Sequence, residues 1–106
     1  MKCLLVEGLS DKIRLTQVIA EPIIILCTNG TISQTTLEEL LAPYEDYELY
    51  TLFDEDKSGD KLRQLMKRTY PEAIQLHTTR TYKQVAETPP RFLATIVARA
   101  GIRIKR

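Results

Sequence analysis

Four short apolar runs alternate with helix-like stretches that end at Pro22, Pro43, Pro71 and Gly101, and this punctuation limits what the 106-residue chain can fold into. Lys2 to Val6 reads as a strand. Glu7-Gly8-Leu9-Ser10-Asp11 then leads into a helical stretch closed by Pro22, with Ser10 or Asp11 as its natural cap. Ile23 to Cys27 is continuous and rich in β-branched residues, as expected of a strand covered on both faces, and it ends in the turn signal Thr28-Asn29-Gly30. Leu37, Leu40 and Leu41 mark a second helix that Pro43 ends. After a third strand, Glu48 to Phe53, the residues Leu62, Leu65, Met66 and Thr69 fall at helical spacing. Ala73 to His77 reads as a fourth strand and the stretch to Pro89-Pro90 as a connection. Leu93, Ile96, Val97 and Ala100 form the apolar face of a last helix.

Strict strand–helix alternation with short connections implies right-handed crossovers. The expected fold class is therefore α/β: a three-layer α/β/α sandwich with a mainly parallel four-stranded sheet, Rossmann-like in outline. The length suits one domain over residues 1–106, with a motif-bearing core at about 2–77 and a basic C-terminal helix and tail at about 78–106. Hydrophobic residues at 43% and charged residues at 27% fit a packed globule and not a disordered chain. The longest apolar run, Pro22 to Cys27, is far short of the ~20 residues of a membrane span. The expectation is a soluble, cytoplasmic protein with no membrane partner, in which Cys3 and Cys27 are free thiols.

Charge is distributed unevenly along the chain. Residues 1–77 hold 8 Lys/Arg against 13 Asp/Glu, whereas residues 78–106 hold 7 against 1. Arg80, Lys83, Arg91, Arg99, Arg103, Lys105 and Arg106 are thus candidates for a phosphate-facing surface, because clustered positive charge draws a polyanion and releases its counterions. A solvated basic tail is the alternative.

The chemistry-bearing residues sit where strands end. Glu7 directly follows the first strand, and Asp54 and Asp56 directly follow the third, so three carboxylates meet across one crevice if those strands are neighbours. In parallel sheets ligands bind outside the carboxyl ends, where the strand order reverses. Hard oxygen ligands without His or Cys select Mg²⁺ or Mn²⁺, and Mg²⁺ accepts one or two carboxylates while keeping waters for phosphate to replace. Gly8 and Gly59 would allow tight turns that let a phosphodiester approach, while Lys12 and Lys57 would neutralise its charge. Glu7, its proton affinity raised by acidic neighbours, is the candidate for moving a proton.

Val6-Glu7-Gly8-Leu9-Ser10-Asp11-Lys12 after a strand, then Asn29-Gly30, then Asp54-Glu55-Asp56-Lys57-Ser58-Gly59 together resemble the TOPRIM domain over about residues 2 to 77. That family includes bacterial primases, type IA and type II topoisomerases, overcoming-lysogenisation-defect nucleases, recombination mediators and ribosomal RNA maturation nucleases. The resemblance implies that Glu7 is the general acid or base, that Asp54 and Asp56 are the Asp-x-Asp magnesium ligands, and that Gly30 occupies the middle glycine position. It also implies phosphodiester chemistry on RNA or DNA, either nuclease or nucleotidyl transfer. With no room for a primase zinc-binding or polymerase subdomain, or for the topoisomerase tyrosine domain, the expectation is a free-standing small TOPRIM protein. It would resemble the primase-like and RNA-maturation members.

Other patterns fit less well. An EF-hand loop opening at Asp54 would need Glu where Leu65 stands. A haloacid-dehalogenase phosphatase places Asp-x-Asp after its first strand, and a receiver domain needs a Lys-Pro pair that is missing. The segment from Asp54 to Asp60 also reads as a plain polar turn with Asp60 capping a helix. His77 reads as a strand-end packing residue. Tyr82 and Phe92 stand among basic residues where rings can stack on bases, though core packing accounts for them more simply; β-propensity explains Tyr44, Tyr47 and Tyr50. The alternative of a different class is a non-catalytic module of the same fold that docks nucleic acid or a larger processing protein.

Overall fold

The computed structural model describes residues 1–78 and 81–106. Strands β1 (Lys2–Val6), β2 (Ile24–Cys27), β3 (Glu48–Leu52) and β4 (Ile74–Leu76) form one sheet in the order β2-β1-β3-β4. All three pairings are parallel. Helices α1 (Leu9–Val18), α2 (Gln34–Leu41), α3 (Lys57–Thr69) and α4 (Pro90–Arg99) cover it, so the α/β sandwich expected from the alternation is present.

Side chains alternate across each strand, which gives the sheet two apolar faces. Leu4, Val6, Tyr50, Leu52 and Leu76 pack with Leu15 of α1 and with Leu93 and Val97 of α4. Cys3, Leu5, Leu49 and Phe53 pack instead with Leu37 and Leu41 of α2 and with Leu62, Leu65 and Met66 of α3. From β1 the chain moves outward to β2, then returns past β1 to reach β3 and β4. The reversal of strand order therefore falls between β1 and β3, and the crevice it opens lies at their carboxyl ends.

Several boundaries differ from expectation. Gly8, not Ser10 or Asp11, is the N-cap of α1, and the side chain of Asp11 accepts a hydrogen bond from Gly8 N–H at 3.2 Å. The α1 helix stops at Val18, well before Pro22, because Ile19 leaves it to form an antiparallel bridge with Ile104. Asp56, not Asp60, caps α3, its Oδ1 accepting from Gly59 N–H at 2.8 Å. No helix of the described residues is long and apolar enough to cross a membrane.

The C-terminal segment packs on the sheet, as the apolar face of its helix allowed. It is a structural part of the sandwich: Val85, Leu93 and Val97 are wholly buried, Ile102 nearly so, and Ala20 N–H and Lys105 N–H bond to Arg103 O and Val18 O at 2.8 Å each. The stretch before Pro89 is also not a bare connection, for it contains a 3₁₀ turn at Val85–Glu87. Truncation of a fully enclosed leucine loses its transfer energy and leaves a cavity, so Leu93→Ala should cost about 2–5 kcal/mol of unfolding free energy in urea titration. A loss below about 1 kcal/mol would mean that the helix is peripheral.

Candidate functional site

At the carboxyl edge of β1 and β3 the acidic residues are tied down by backbone amides. Glu7 Oε1 accepts from Asp54 N–H at 2.9 Å, and Glu7 Oε2 lies 3.5 Å from the Ser58 hydroxyl. Asp54 Oδ1 accepts from Val85 N–H at 2.8 Å. Asp56 spends one oxygen on its cap, and Asp11 accepts from Gly8 N–H. Asp54 Oδ2 and Asp56 Oδ2 have no hydrogen-bond partner among the described residues. Two neighbouring strands, the turn into α3 and the segment before α4 thus converge on one acidic corner.

Burial pushes Glu7 above the usual carboxyl range. The Asp54 N–H opposes that push, and the charges of Asp54, Asp56 and Asp11 add to it. Burial also raises Asp54, against the Val85 N–H and the Arg63 charge, and with reinforcement from Asp56 and Glu55. Asp11, nearly enclosed, is raised by burial and by Asp54, while the Gly8 N–H and Arg14 act the other way. These mutual effects place Glu7, Asp11, Asp54 and Asp56 in one electrostatic neighbourhood.

The donor set is entirely oxygen, as a hard divalent cation requires. Among the described residues no three His, Cys, Asp or Glu side chains converge into a ready-made metal cage, because each carboxylate is turned toward a backbone N–H. Mg²⁺ does not need such a cage, since it keeps several waters and takes only one or two carboxylates beside substrate phosphate. The second carboxylate oxygens of Asp54 and Asp56, without a partner among the described residues, fit that demand.

The two glycines beside the acids behave differently. A Cβ on Gly59 would stand 1.8 Å from Asp54 O, so this glycine lets α3 pack directly beneath the strand end instead of clearing a path for phosphate. Gly8 is extended, at φ −136° and ψ 167°, and a Cβ there would make only an ordinary contact 3.8 Å from Asp11 Oδ2. Gly30, at φ 104°, turns the loop after β2, where Asn29 N–H bonds Glu7 O at 2.7 Å.

The candidate cations do not gather as the sequence suggested. Lys12 lines a cleft on the β2 side with Thr16, Ile23 and Tyr44, and Cys27 feels both its charge and that of Asp11. Lys57 is exposed at the first position of α3, beside Asp56. Lys83 follows the acidic edge, its carbonyl accepting from Glu55 N–H at 2.7 Å. Arg91 stacks over Phe92, 5.0 Å from the ring centroid, and Phe92 in turn lies 5.7 Å from Tyr82, so these rings pack on each other. Arg99 ends α4, while Arg103, Lys105 and Arg106 line the opposite edge of the sheet. There Arg103 N–H bonds Glu21, whose other oxygen pairs with Lys2 at 3.0 Å. Five residues of β1, at about 3.3 Å each, separate that edge from Glu7 by on the order of 15 Å. Arg80 lies outside the described residues.

Three contributors were missed by sequence reasoning. Arg14 reaches from α1 to the carbonyls of Val85 and Thr88 and so holds the segment whose N–H meets Asp54. Arg63 joins Phe53 O, Leu76 O and Glu55 Oε1 at 2.7, 3.0 and 2.8 Å. His77, read as a packing residue, is 59% exposed at its side chain and pairs through Nδ1 with Glu55 at 2.9 Å. An acid-rich turn calls for nearby cations, which was the one signal that pointed toward Arg63.

A doubly wound parallel α/β domain with acids at its switch point is the arrangement of a phosphate-handling fold. The chain matches the Toprim-like family over residues 4–88 and belongs to that family. TOPRIM domains typically bind Mg²⁺ and act on nucleic acids. The chain is 47% identical over 103 residues to YusF, an uncharacterised protein of Bacillus subtilis strain 168, covering 97% of this chain and 70% of YusF. It is also similar to the solved structure of a small TOPRIM domain protein from Bacillus stearothermophilus. That match has a TM-score of 0.93 and 44% identity, and it covers 98% of this chain and 88% of the other.

Two measurements check this geometry. Gly59→Ala should lose at least ~2 kcal/mol in urea unfolding through the backbone clash, whereas Gly8→Ala should lose under about 1 kcal/mol. Glu7, Asp11 and Asp54 all have folded-state values above their unfolded ones, so their contribution to stability is complete at acid pH and is lost as pH rises through the raised values. Asp54→Asn removes one ionising group while keeping an acceptor for Val85 N–H. Its melting temperature should exceed that of the parent by a few degrees near neutrality, and the gap should narrow on acidification. A variant that melts lower near neutrality would contradict this.

Proposed function

We propose that this chain carries out Mg²⁺-dependent phosphodiester chemistry on nucleic acid, as a nuclease or nucleotidyl transferase, at the edge formed by Glu7, Asp54 and Asp56. The carrying observation is the hydrogen bond from Asp54 N–H to Glu7 Oε1, which joins the lone glutamate to the Asp-x-Asp turn across two adjacent strands. Family membership supplies the chemical class. The chain would work as one domain in the cytoplasm, where Cys3 and Cys27 stay reduced.

Asp54 and Asp56 would hold the metal through their free oxygens, with Glu7 adjoining it; Mn²⁺ would serve in its place. When bound, the cation would polarise the scissile phosphate and offset charge developing on it. Glu7 would exchange a proton with the reacting hydroxyl or water. Its raised proton affinity keeps both protonation states accessible closer to neutrality than an ordinary glutamate allows. Arg14 would act by positioning, since it fixes the segment that donates to Asp54. Lys57 and the turns at Gly8, Asp11 and Gly30 would border the phosphate, while Gly59 keeps α3 close. Lys12 would approach the phosphate from the β2 side.

A docking module of the same fold is the second reading, favoured by the commitment of each carboxylate to a backbone N–H. Titration calorimetry with Mg²⁺ and Mn²⁺ separates the two. Binding by the parent and loss of binding in Asp54→Asn/Asp56→Asn is the expected result. Glu7→Gln should then lower turnover of RNA or DNA by at least about 100-fold with folding intact. Turnover that survives both Glu7→Gln and Asp54→Asn would defeat the mechanism.

A further inference from the structure

Two cavities meet at His77 beside the acidic corner. The first, about 400 Å³, is lined by Glu55, His77, Thr78 and Lys83. The second, about 280 Å³, is lined by Arg63, Gln64, Lys67, Gln75 and His77. His77 lines both, so the two adjoin, and together they run from Glu55, in the turn after β3, to the surface between β4 and α3; we take them as one furrow. We propose that this furrow is the track of a single nucleic-acid strand entering or leaving the acidic site. The proposal takes its polymer from the function proposed above but does not depend on the metal.

Charge and shape carry the assignment. Lys83, His77 and Lys67 follow one another along the furrow, and all three are exposed. A row of separate cationic or donor groups suits the repeating phosphates of a strand. Glu55, the carboxylate in the wall, would repel phosphate if it were alone, but its Oε1 is already held by Arg63 at 2.8 Å and His77 at 2.9 Å. That pairing directs His77 Nδ1 inward and leaves its other ring nitrogen for a ligand. Arg63 is committed to Phe53 O, Leu76 O and Glu55, so it holds the wall while Lys83, His77 and Lys67 make the contacts. Cavities of about 400 and 280 Å³ can each seat part of a nucleotide, which suits a strand held unit by unit.

The furrow also gives the strand a direction. β4 is an edge strand of three residues, so beyond it the strand meets solvent and no further layer of the sheet. The basic C-terminal end, Arg103 to Arg106, lies toward the start of β1, away from the furrow, and takes no part.

The test is fluorescence anisotropy in EDTA, with labelled oligo-U and oligo-dT of about twelve nucleotides, a length typical of single-strand sites, and with a duplex for comparison. Single strands should bind more tightly than duplex. His77→Gln/Lys67→Gln should weaken binding at least tenfold and flatten its salt dependence by about 0.7 per lost phosphate contact. Arg103→Gln/Lys105→Gln/Arg106→Gln should change affinity less than about twofold if those side chains touch no phosphate. Amide shifts on titrating either oligomer should fall on residues 64–67 and 74–78. Preference for oligo-U or for oligo-dT supports the track in either case and names the polymer. Absence of single-strand binding by the parent, unchanged affinity of the furrow variant, tighter binding of duplex, or shifts confined to residues 99–106 would each overturn it. Because no metal is present, furrow binding that persists in Glu7→Gln while turnover is lost supports the track separately from the chemistry. Furrow binding without any Mg²⁺-dependent turnover in the parent would likewise leave the track standing and remove the enzyme reading alone.

Discussion

The acidic corner exists because backbone N–H groups hold it together against its own repulsion. Asp54 N–H grips Glu7, Val85 N–H grips Asp54, Gly8 N–H grips Asp11 and Gly59 N–H grips Asp56. Main-chain donors cannot rotate away as side chains do, so the spacing of the carboxyls is fixed by the path of four chain segments. Bonds to ionised acceptors are also among the stronger hydrogen bonds available, which matters where burial works against ionisation.

This dependence explains why residues far from the acids belong to the same design. Arg14 anchors the segment around Val85, and that segment is simultaneously the floor of one apolar face and the donor to Asp54. Gly59 gives the complementary constraint on the other face, where α3 presses against the Asp54 carbonyl. Core packing and site geometry are therefore linked through the backbone of a few residues, and a shift of α3 or of the 83–88 stretch would be transmitted to the carboxyls directly.

The alternation of elements and the acids of the site were readable because local rules govern them: apolar runs ended by Pro and Gly give the strands and helices, and Glu7 and Asp54 stand at their strand ends. What depended on distant contacts was hidden. The last helix was legible from Leu93, Ile96, Val97 and Ala100, whereas the burial of Val85 before it and Ile102 after it was not, because only distant contacts cover them. Lys12 is adjacent to the motif in sequence, yet helical rotation carries it to the β2 side. His77 and Glu55 lie 22 residues apart, and only the pairing of β3 with β4 brings them together. The cap of α3 was assigned to Asp60 in one reading although Asp56 performs it, because an acidic run offers several suitable side chains and only the backbone chooses among them.

The bridge between Ile19 and Ile104 draws the C-terminal end to the edge of the sheet where β1 begins, and Met1 lies at that edge too, its carbonyl accepting from Glu48 N–H at 2.9 Å. Both ends therefore face away from Glu7 and Asp54. A tag joined at either end thus starts from the side of the sheet remote from the acids.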